Sequence, residues 1–236
     1  MLPNYLFTAL LLESTSLACA LHMPPREAGN TTRDYSKTVV GPEVPDPDTT
    51  AYNLNHFALN VKNATRSIDF YTQAFGMRLM LTVQATEHFP LSYLAYSTGE
   101  KNGTGYQTTD ELIRNQHNSQ GLMELINYNN PNNDLPASTA ATNTFSHVGL
   151  IVPDIDATQG RLEKYGVMFY KKVGGSFEGE GPLANAFGLN ASEISQAELG
   201  ALLGLFNVLT ENAIFVADPD GNVLEILPQD GASLAN

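Results

Sequence analysis

The sequence predicts an α+β fold built from two copies of a βαβββ module, and three observations predict it. A strand headed by histidine occurs twice, as His56-x-x-Leu59-x-Val61 and as His147-x-x-Leu150-x-Val152. Each is followed by an amphipathic stretch that a glycine terminates, Gly76 in the first half and Gly166 in the second. Each half then ends on an apolar strand interrupted by a carboxylate, Glu124 and Glu225. Repetition on this scale reads as duplication of one supersecondary unit. The modules span 52–130 and 143–229.

The elements follow in order. Residues 54–61 alternate, with His56, Ala58 and Asn60 on one face. Asn63 is placed to cap a helix over 64–75, where Ile68, Tyr71 and Phe75 form an apolar stripe. Residues 77–83 and 91–96 read as strands, 110–115 as a short helix, and 122–126 as the strand carrying Glu124. In the second half 145–152 is a strand, Asp154 or Asp156 caps a helix ending at Tyr165, and 167–173 is the next strand. The closing hairpin pairs 214–216 with 223–227 around Asp218-Pro219-Asp220-Gly221. There Pro219 presets φ, Asp218 bonds the backbone ahead and Gly221 frees the exit. Alternation puts Val223, Glu225 and Leu227 on one face, with Leu224 and Ile226 on the other.

The second half also carries an insertion at 175–212. Its residues 192–209 hold Ile194, Leu199, Leu202, Leu203, Leu205, Phe206 and Leu209, dense enough for a helix buried on a broad face. Asn190 with Glu193 resembles a capping box, and Gly174, Gly175, Gly179 and Gly181 suggest a mobile approach. The insertion reads either as a lid making an apolar wall over the site, or as a helix that caps the core or meets a second copy.

A carboxylate within an apolar strand is costly unless it is paired or bound to a cation. A single strand histidine or glutamate is most often a satisfied or surface group. Here the repeat puts His56 in register with His147 and Glu124 in register with Glu225, which makes them a metal constellation. If pseudo-symmetry brings the two sheets face to face, the four converge on one point. Two imidazoles and two carboxylates suit Zn, Ni, Co, Mn or Fe(II) better than Ca or Mg, and leave two octahedral positions open. His22, His88 and His117 stand in loop or linker surroundings and read as surface groups.

A net charge of −13 argues against nucleic acid and anionic membrane as partners, and otherwise serves solubility; the small-molecule substrate expected here rests on the site residues. Beyond the first residues no apolar run is long enough to span a bilayer. Residues 6–12 are apolar and Ala18-Cys19-Ala20 fits a signal-peptidase site, so 1–20 reads as a signal peptide and the product as secreted. Against this, the first dozen residues hold no Lys or Arg and Glu13 interrupts the apolar run, so cytoplasmic residence is the alternative. Residues 21–51 read as an extended linker. Cys19 is the single cysteine, so a chain cleaved after it has no disulfide and no thiol nucleophile. Sequons at Asn30, Asn63, Asn102 and Asn190 permit a secreted glycoprotein without arguing for one.

At these residues the sequence resembles the vicinal oxygen chelate superfamily and, within it, glyoxalase I (lactoylglutathione lyase). Residues 54–61, Ser67-Ile68-Asp69-Phe70-Tyr71-Thr72 and Phe75-Gly76-Met77 look like that family's opening strand and helix. Met123-Glu124-Leu125, Phe145-Ser146-His147-Val148-Gly149 and the hairpin 218–227 look like its other ligand segments. The resemblance covers about 52–229. It implies paired modules cupped around a metal held by His56, Glu124, His147 and Glu225, often in a homodimer. It also implies a lyase or isomerase that moves a proton through an enediolate, with Glu225 as general base and acid and Glu124 as ligand and second base.

Departures from that pattern bear on the substrate. Asn60 and Asn143 stand where the family anchors glutathione's carboxylates with arginine, Tyr128 stands in place of an asparagine, and Asn222-Val223 replaces an aromatic pair. Lys171 and Lys172 are the remaining sources of positive charge. The substrate is therefore either a glutathione hemithioacetal or a more apolar oxygenated compound, such as a secondary metabolite. Three further activities share the fold: an epimerase using the same proton chemistry, an extradiol-type dioxygenase, and a metal-free binding module. A fourth ligand at Glu124 counts against the dioxygenase, and retention of all four ligands counts against the binding module.

Overall fold

Alternation and capping account for the elements of the first half. In the computed structural model, which describes residues 47–98, 105–127, 134–190 and 194–230, strand β1 (His56–Val61) buries Leu59 and Val61 and leaves Ala58 and Asn60 exposed. Asn63 caps α1 (Ala64–Gln73), its side-chain oxygen accepting from the Arg66 N–H at 2.9 Å. Gly76 then leaves the helix at φ 71°, a conformation that favours glycine. β2 (Arg78–Thr86) and β3 (Phe89–Ala95) form a hairpin. α2 (Thr109–Arg114) opens on a capping box between Thr108 and Glu111, and β4 (Leu122–Asn127) closes the module.

The second half repeats this order. β5 (His147–Val152) leads to α3 (Ile155–Lys164), capped by Asp154, and to β6 (Phe169–Lys171). The insertion contributes α4 (Gly181–Ala186) and α5 (Gln196–Leu209) before β7 (Ile214–Ala217) and β8 (Val223–Pro228). Each module is a four-stranded mixed sheet, ordered β1-β4-β3-β2 and β5-β8-β7-β6. The edge strand is parallel to its neighbour and the other pairings are antiparallel. The two parallel pairings share one register: Ala58 lies opposite Glu124 and Gly149 opposite Glu225.

One core joins the modules. Leu59, Val61, Met123 and Leu125 of the first sheet share it with Ile214, Val216, Leu224 and Ile226 of the second, and Tyr71 of α1 and Leu162 of α3 complete it. These strand residues lie on the faces opposite the histidines and glutamates, because side chains alternate along a strand. Smaller apolar clusters lie on the other faces. Leu112 of α2 packs with Met80, Ala95 and Leu122, while Leu183, Ala184 and Ala186 of α4 pack with Phe177, Phe215 and Val223.

Several expectations are corrected. The strand expected over 167–173 is confined to Phe169–Lys171, with Gly174 turning the chain at φ 70°. The glycine-rich approach contains a helix, α4, with Pro182 in its first turn. Gly179 packs against the long insertion helix, since an added Cβ would lie 3.0 Å from a Leu203 methyl. The long insertion helix starts at Gln196 on a Ser195–Glu198 capping box, and none of its residues is fully buried. Residues 1–46, with His22 and the sequon at Asn30, lie outside the described residues, as do the sequon at Asn102 and Tyr128. No described helix is long and apolar enough to cross a membrane.

Two buried polar groups tie distant segments together. Asp218 Oδ1 accepts from the backbone N–H groups of Asp220 and Asn222, both at 2.8 Å. Its Oδ2 accepts from Asn222 Nδ2 at 3.0 Å and from the Tyr71 hydroxyl at 3.2 Å, which links the β7–β8 turn to α1. Asn222 in turn accepts from the Ser138 N–H at 3.0 Å, and Ser138 Oγ accepts from the Val223 N–H at 3.1 Å. Lys171, also buried, donates to the carbonyls of Thr210 at 2.6 Å and Ala213 at 3.0 Å, closing the C-terminal end of α5. Burial raises the pKa of Asp218 and Tyr71 and lowers that of Lys171.

Asp218→Asn turns an amide N–H₂ toward at least one N–H donor that cannot accept, and is expected to cost about 1–3 kcal/mol in urea unfolding. Burial raises the folded-state pKa of Asp218, so its titration contributes stability below the unfolded value and loses it as pH rises through the folded one. The gap between wild type and Asp218→Asn should therefore be widest below about pH 4 and narrow toward neutrality. Lys171→Met should lower the urea midpoint through about 1–3 kcal/mol, because two carbonyls lose their donor.

Candidate metal centre

The parallel register places each histidine beside a glutamate. His56 heads β1 and Glu124 sits in the middle of the adjacent β4, with Nε2 and Oε2 3.6 Å apart. His147 heads β5 and Glu225 sits in the middle of β8, with Nε2 and Oε2 3.1 Å apart. In both pairs Nδ1 faces an oxygen of the preceding residue, Asn55 Oδ1 at 3.0 Å and Ser146 Oγ at 2.8 Å. Nε2 is thereby turned toward the carboxylate, the posture of a metal-binding imidazole whose other nitrogen is held by an outer partner.

The aromatic surroundings of the pairs differ. Tyr93 lies opposite Glu124 across the β3–β4 ladder and meets the His56 ring edge-on, with centroids 5.7 Å apart. Its phenol pKa is raised, by burial first and then by a hydrogen bond to the Glu124 carboxylate. Phe187, just past α4, stacks on the His147 ring at 4.8 Å between centroids. Behind it Phe177, Phe206 and Phe215 form a cluster of edge-to-face and stacked rings. The insertion therefore builds an apolar wall beside His147. Tyr93, Phe187, Asn55 and Ser146 were not among the expected site residues. Strand parity flags Tyr93 only together with the β3–β4 pairing, which places it opposite Glu124.

The four expected ligands occur as two pairs. Among the described residues no three or more His, Cys, Asp or Glu side chains form a group that could hold a metal ion. The condition for convergence, that the two sheets of one chain meet through their histidine-bearing faces, is not met among the described residues. They share a core through the opposite faces, so their histidine-bearing faces turn away from it. His88 and His117 are exposed, as expected. The donor chemistry still fits a divalent cation: each pair offers one imidazole nitrogen and one carboxylate to the same small space, and together they make a mixed N/O set.

The positions of the missing arginines come together. Asn60 and Asn143 line one cleft of about 310 Å³ with Ser138, Asp220 and Asn222, and among the described residues no cationic side chain lines it. Lys171 and Lys172 do not supply the charge. Lys171 is buried beneath the Thr210 and Ala213 carbonyls, and Lys172 pairs with Glu163 at 2.7 Å.

Residues 53–181 match the Glyoxalase/Bleomycin resistance protein/Dioxygenase superfamily. The chain is 32% identical over 171 residues to a lactoylglutathione lyase of Pseudomonas aeruginosa, covering 68% of this chain and 91% of that protein. It is 30% identical over 132 residues to a lactoylglutathione lyase of Schizosaccharomyces pombe, covering 53% of this chain and 41% of the relative. Among solved structures, the trypanothione-dependent glyoxalase I of Leishmania major aligns at a TM-score of 0.43 and 19% identity, over 76% of this chain and 88% of that one. By its matched residues and its two βαβββ modules, the chain belongs to the Glyoxalase/Bleomycin resistance protein/Dioxygenase superfamily.

Proposed function

We propose that the chain is a metal-dependent lyase or isomerase of the glyoxalase I type, which moves a proton between adjacent carbons of a small oxygenated substrate. The observation that carries this reading is the repeated His–Glu pair, His56 with Glu124 and His147 with Glu225, in one strand register. His56 and Glu124 of one copy would join His147 and Glu225 of a second copy to hold the ion, since the shared core turns the two pairs of a single chain apart. A divalent cation of the Zn, Ni or Co kind would acidify the carbon beside two substrate oxygens. Glu225 then takes the proton from one carbon and returns it to the next, and the aromatic wall beside His147 keeps water from the exchange.

The relatives named as lactoylglutathione lyases support the reaction class. Asn60 and Asn143, with Asp220 in the same cleft, favour an apolar oxygenated compound over a glutathione adduct with its two carboxylates.

Two experiments test the reading. Metal content should be measured on purified protein, together with lactoylglutathione formation and a panel of apolar α-oxygenated carbonyl compounds after loading with Ni, Co or Zn. Glu225→Gln should lower turnover of any accepted substrate by about 10²–10⁴-fold. Protein that holds no metal would sink the ligand assignment and leave a binding module. Glutathione-dependent turnover at ordinary efficiency would overturn the substrate preference alone.

The second experiment asks whether the site spans two copies. Glu124→Gln and Glu225→Gln variants, each inactive, are unfolded together and refolded as a mixture. Half of the resulting dimers would be mixed and would hold one intact site of two, so the mixture should regain about a quarter of wild-type activity. A site contained in one copy gives no recovery.

A further inference from the structure

The side chain of Asn55 precedes β1 and is bound at all three of its faces. Its Nδ2 donates to the carbonyl of Gln116 at 2.7 Å and to that of Ser119 at 2.9 Å. Both amide hydrogens are thereby used on oxygens that can only accept, which settles the orientation of the group. Oδ1 is left facing His56 Nδ1 at 3.0 Å, and an amide oxygen can only accept. Nδ1 must therefore carry the hydrogen, and in the neutral ring Nε2 is a bare lone pair. That lone pair faces Glu124 Oε2 at 3.6 Å, beyond ordinary hydrogen-bond distance. Two acceptors aimed at one point with no proton between them form a seat for a cation.

The second pair is built differently. Ser146 Oγ lies 2.8 Å from His147 Nδ1, but a hydroxyl can donate or accept, so neither tautomer is imposed. His147 Nε2 is within hydrogen-bond distance of Glu225 at 3.1 Å and can hold a proton there.

We infer that Asn55 is a positioning residue, which locks His56 in the Nδ1–H tautomer and presents Nε2 bare, while Ser146 leaves His147 free to exchange. The lock itself is a property of the metal-free chain; its consequence for metal affinity rests on the function proposed above.

The test uses the full chain labelled with ¹⁵N-histidine, stripped of metal, and held above the pH at which the ring is charged. Long-range ¹H–¹⁵N correlation reports which ring nitrogen is protonated, and His56→Gln assigns the signal. Wild type should show His56 protonated on Nδ1. Asn55→Ala should move the ring toward the Nε2–H form that free histidine prefers, and weaken zinc binding by about 10–100-fold in a chelator competition. Asn55→Asp keeps an oxygen for His56 but has no N–H for the two carbonyls, so it should keep the tautomer while lowering thermal stability. An Nε2–H ring in wild type overturns the inference, even where Asn55→Ala does not fold. So does an unchanged tautomer in folded Asn55→Ala. A locked ring in a wild-type protein that binds no zinc supports the lock and rejects the metal reading, so the two failures are separable.

Discussion

The parallel pairing of each module's first and last strands is the constraint on which the rest depends. In both halves the glutamate lies opposite the residue two places beyond the histidine, Ala58 in one case and Gly149 in the other. Side chains two apart on a strand share a face, so this register sets imidazole and carboxylate side by side. A slip of one residue would send Glu124 into the core among Met123 and Leu125, and bring a leucine to the site. The small size of Ala58 and Gly149 leaves room beside each glutamate. An added Cβ at Gly149 would still meet nothing within 4 Å, so that room is open.

The same alternation decides how the modules meet. Each sheet offers one strongly apolar face and one that mixes apolar and polar groups, and the apolar faces are buried together with α1 and α3. The join is reinforced by polar contacts that cross it. Arg161 of α3 donates from Nε to the Ala74 carbonyl at 2.7 Å, Arg66 of α1 pairs with Asp220 at 3.2 Å, and Tyr71 reaches Asp218. Buried groups such as Asp218 are costly when unsatisfied, so this network specifies one arrangement of the modules. In that arrangement neither His–Glu pair has a third His, Cys, Asp or Glu grouped with it among the described residues.

Much of this was legible in the sequence, and the exceptions have identifiable causes. The duplication is visible because a mid-strand carboxylate is rare enough to notice and each stands in the closing strand of its half, although the spacing from the histidine differs between the halves. The caps at Asn63 and Asp154 and the stops at Gly76 and Gly166 followed from local chemistry that tertiary packing did not override. Module orientation was not legible, since it turns on which sheet faces become buried together, and alternation within one strand does not say that. α4 escaped notice because six residues are under two turns, too few to show a period. The cap of α5 was placed early because Asn190 with Glu193 and Ser195 with Glu198 share the same spacing. Ile194 and Leu199 flank the second box at the positions of a hydrophobic staple, which favours it. Lys171 read as available charge because sequence does not reveal that the carbonyls at the end of α5 need a donor.

The insertion makes two equivalent half-sites inequivalent. In the first module α2 packs on Met80, Ala95 and Leu122, and the His56 side chain is 41% exposed with Tyr93 meeting it edge-on. In the second module α4 and α5 place Phe187 flat on His147, with three further phenylalanines behind it, and the His147 side chain is 27% exposed. Joined across two copies, such halves give a site with one fixed, wetter side at His56 and Glu124 and one adjustable, drier side at His147 and Glu225. A locked imidazole on the wet side suits a residue that only holds the ion. A side where hydroxyl, imidazole and carboxylate can redistribute a proton suits the residue that must accept and return one, and water exclusion there strengthens each electrostatic contact. The repeat supplies two copies of one His–Glu pair. The insertion, and a serine at 146 where the first module has Asn55, would suit the two pairs to the different tasks proposed for them.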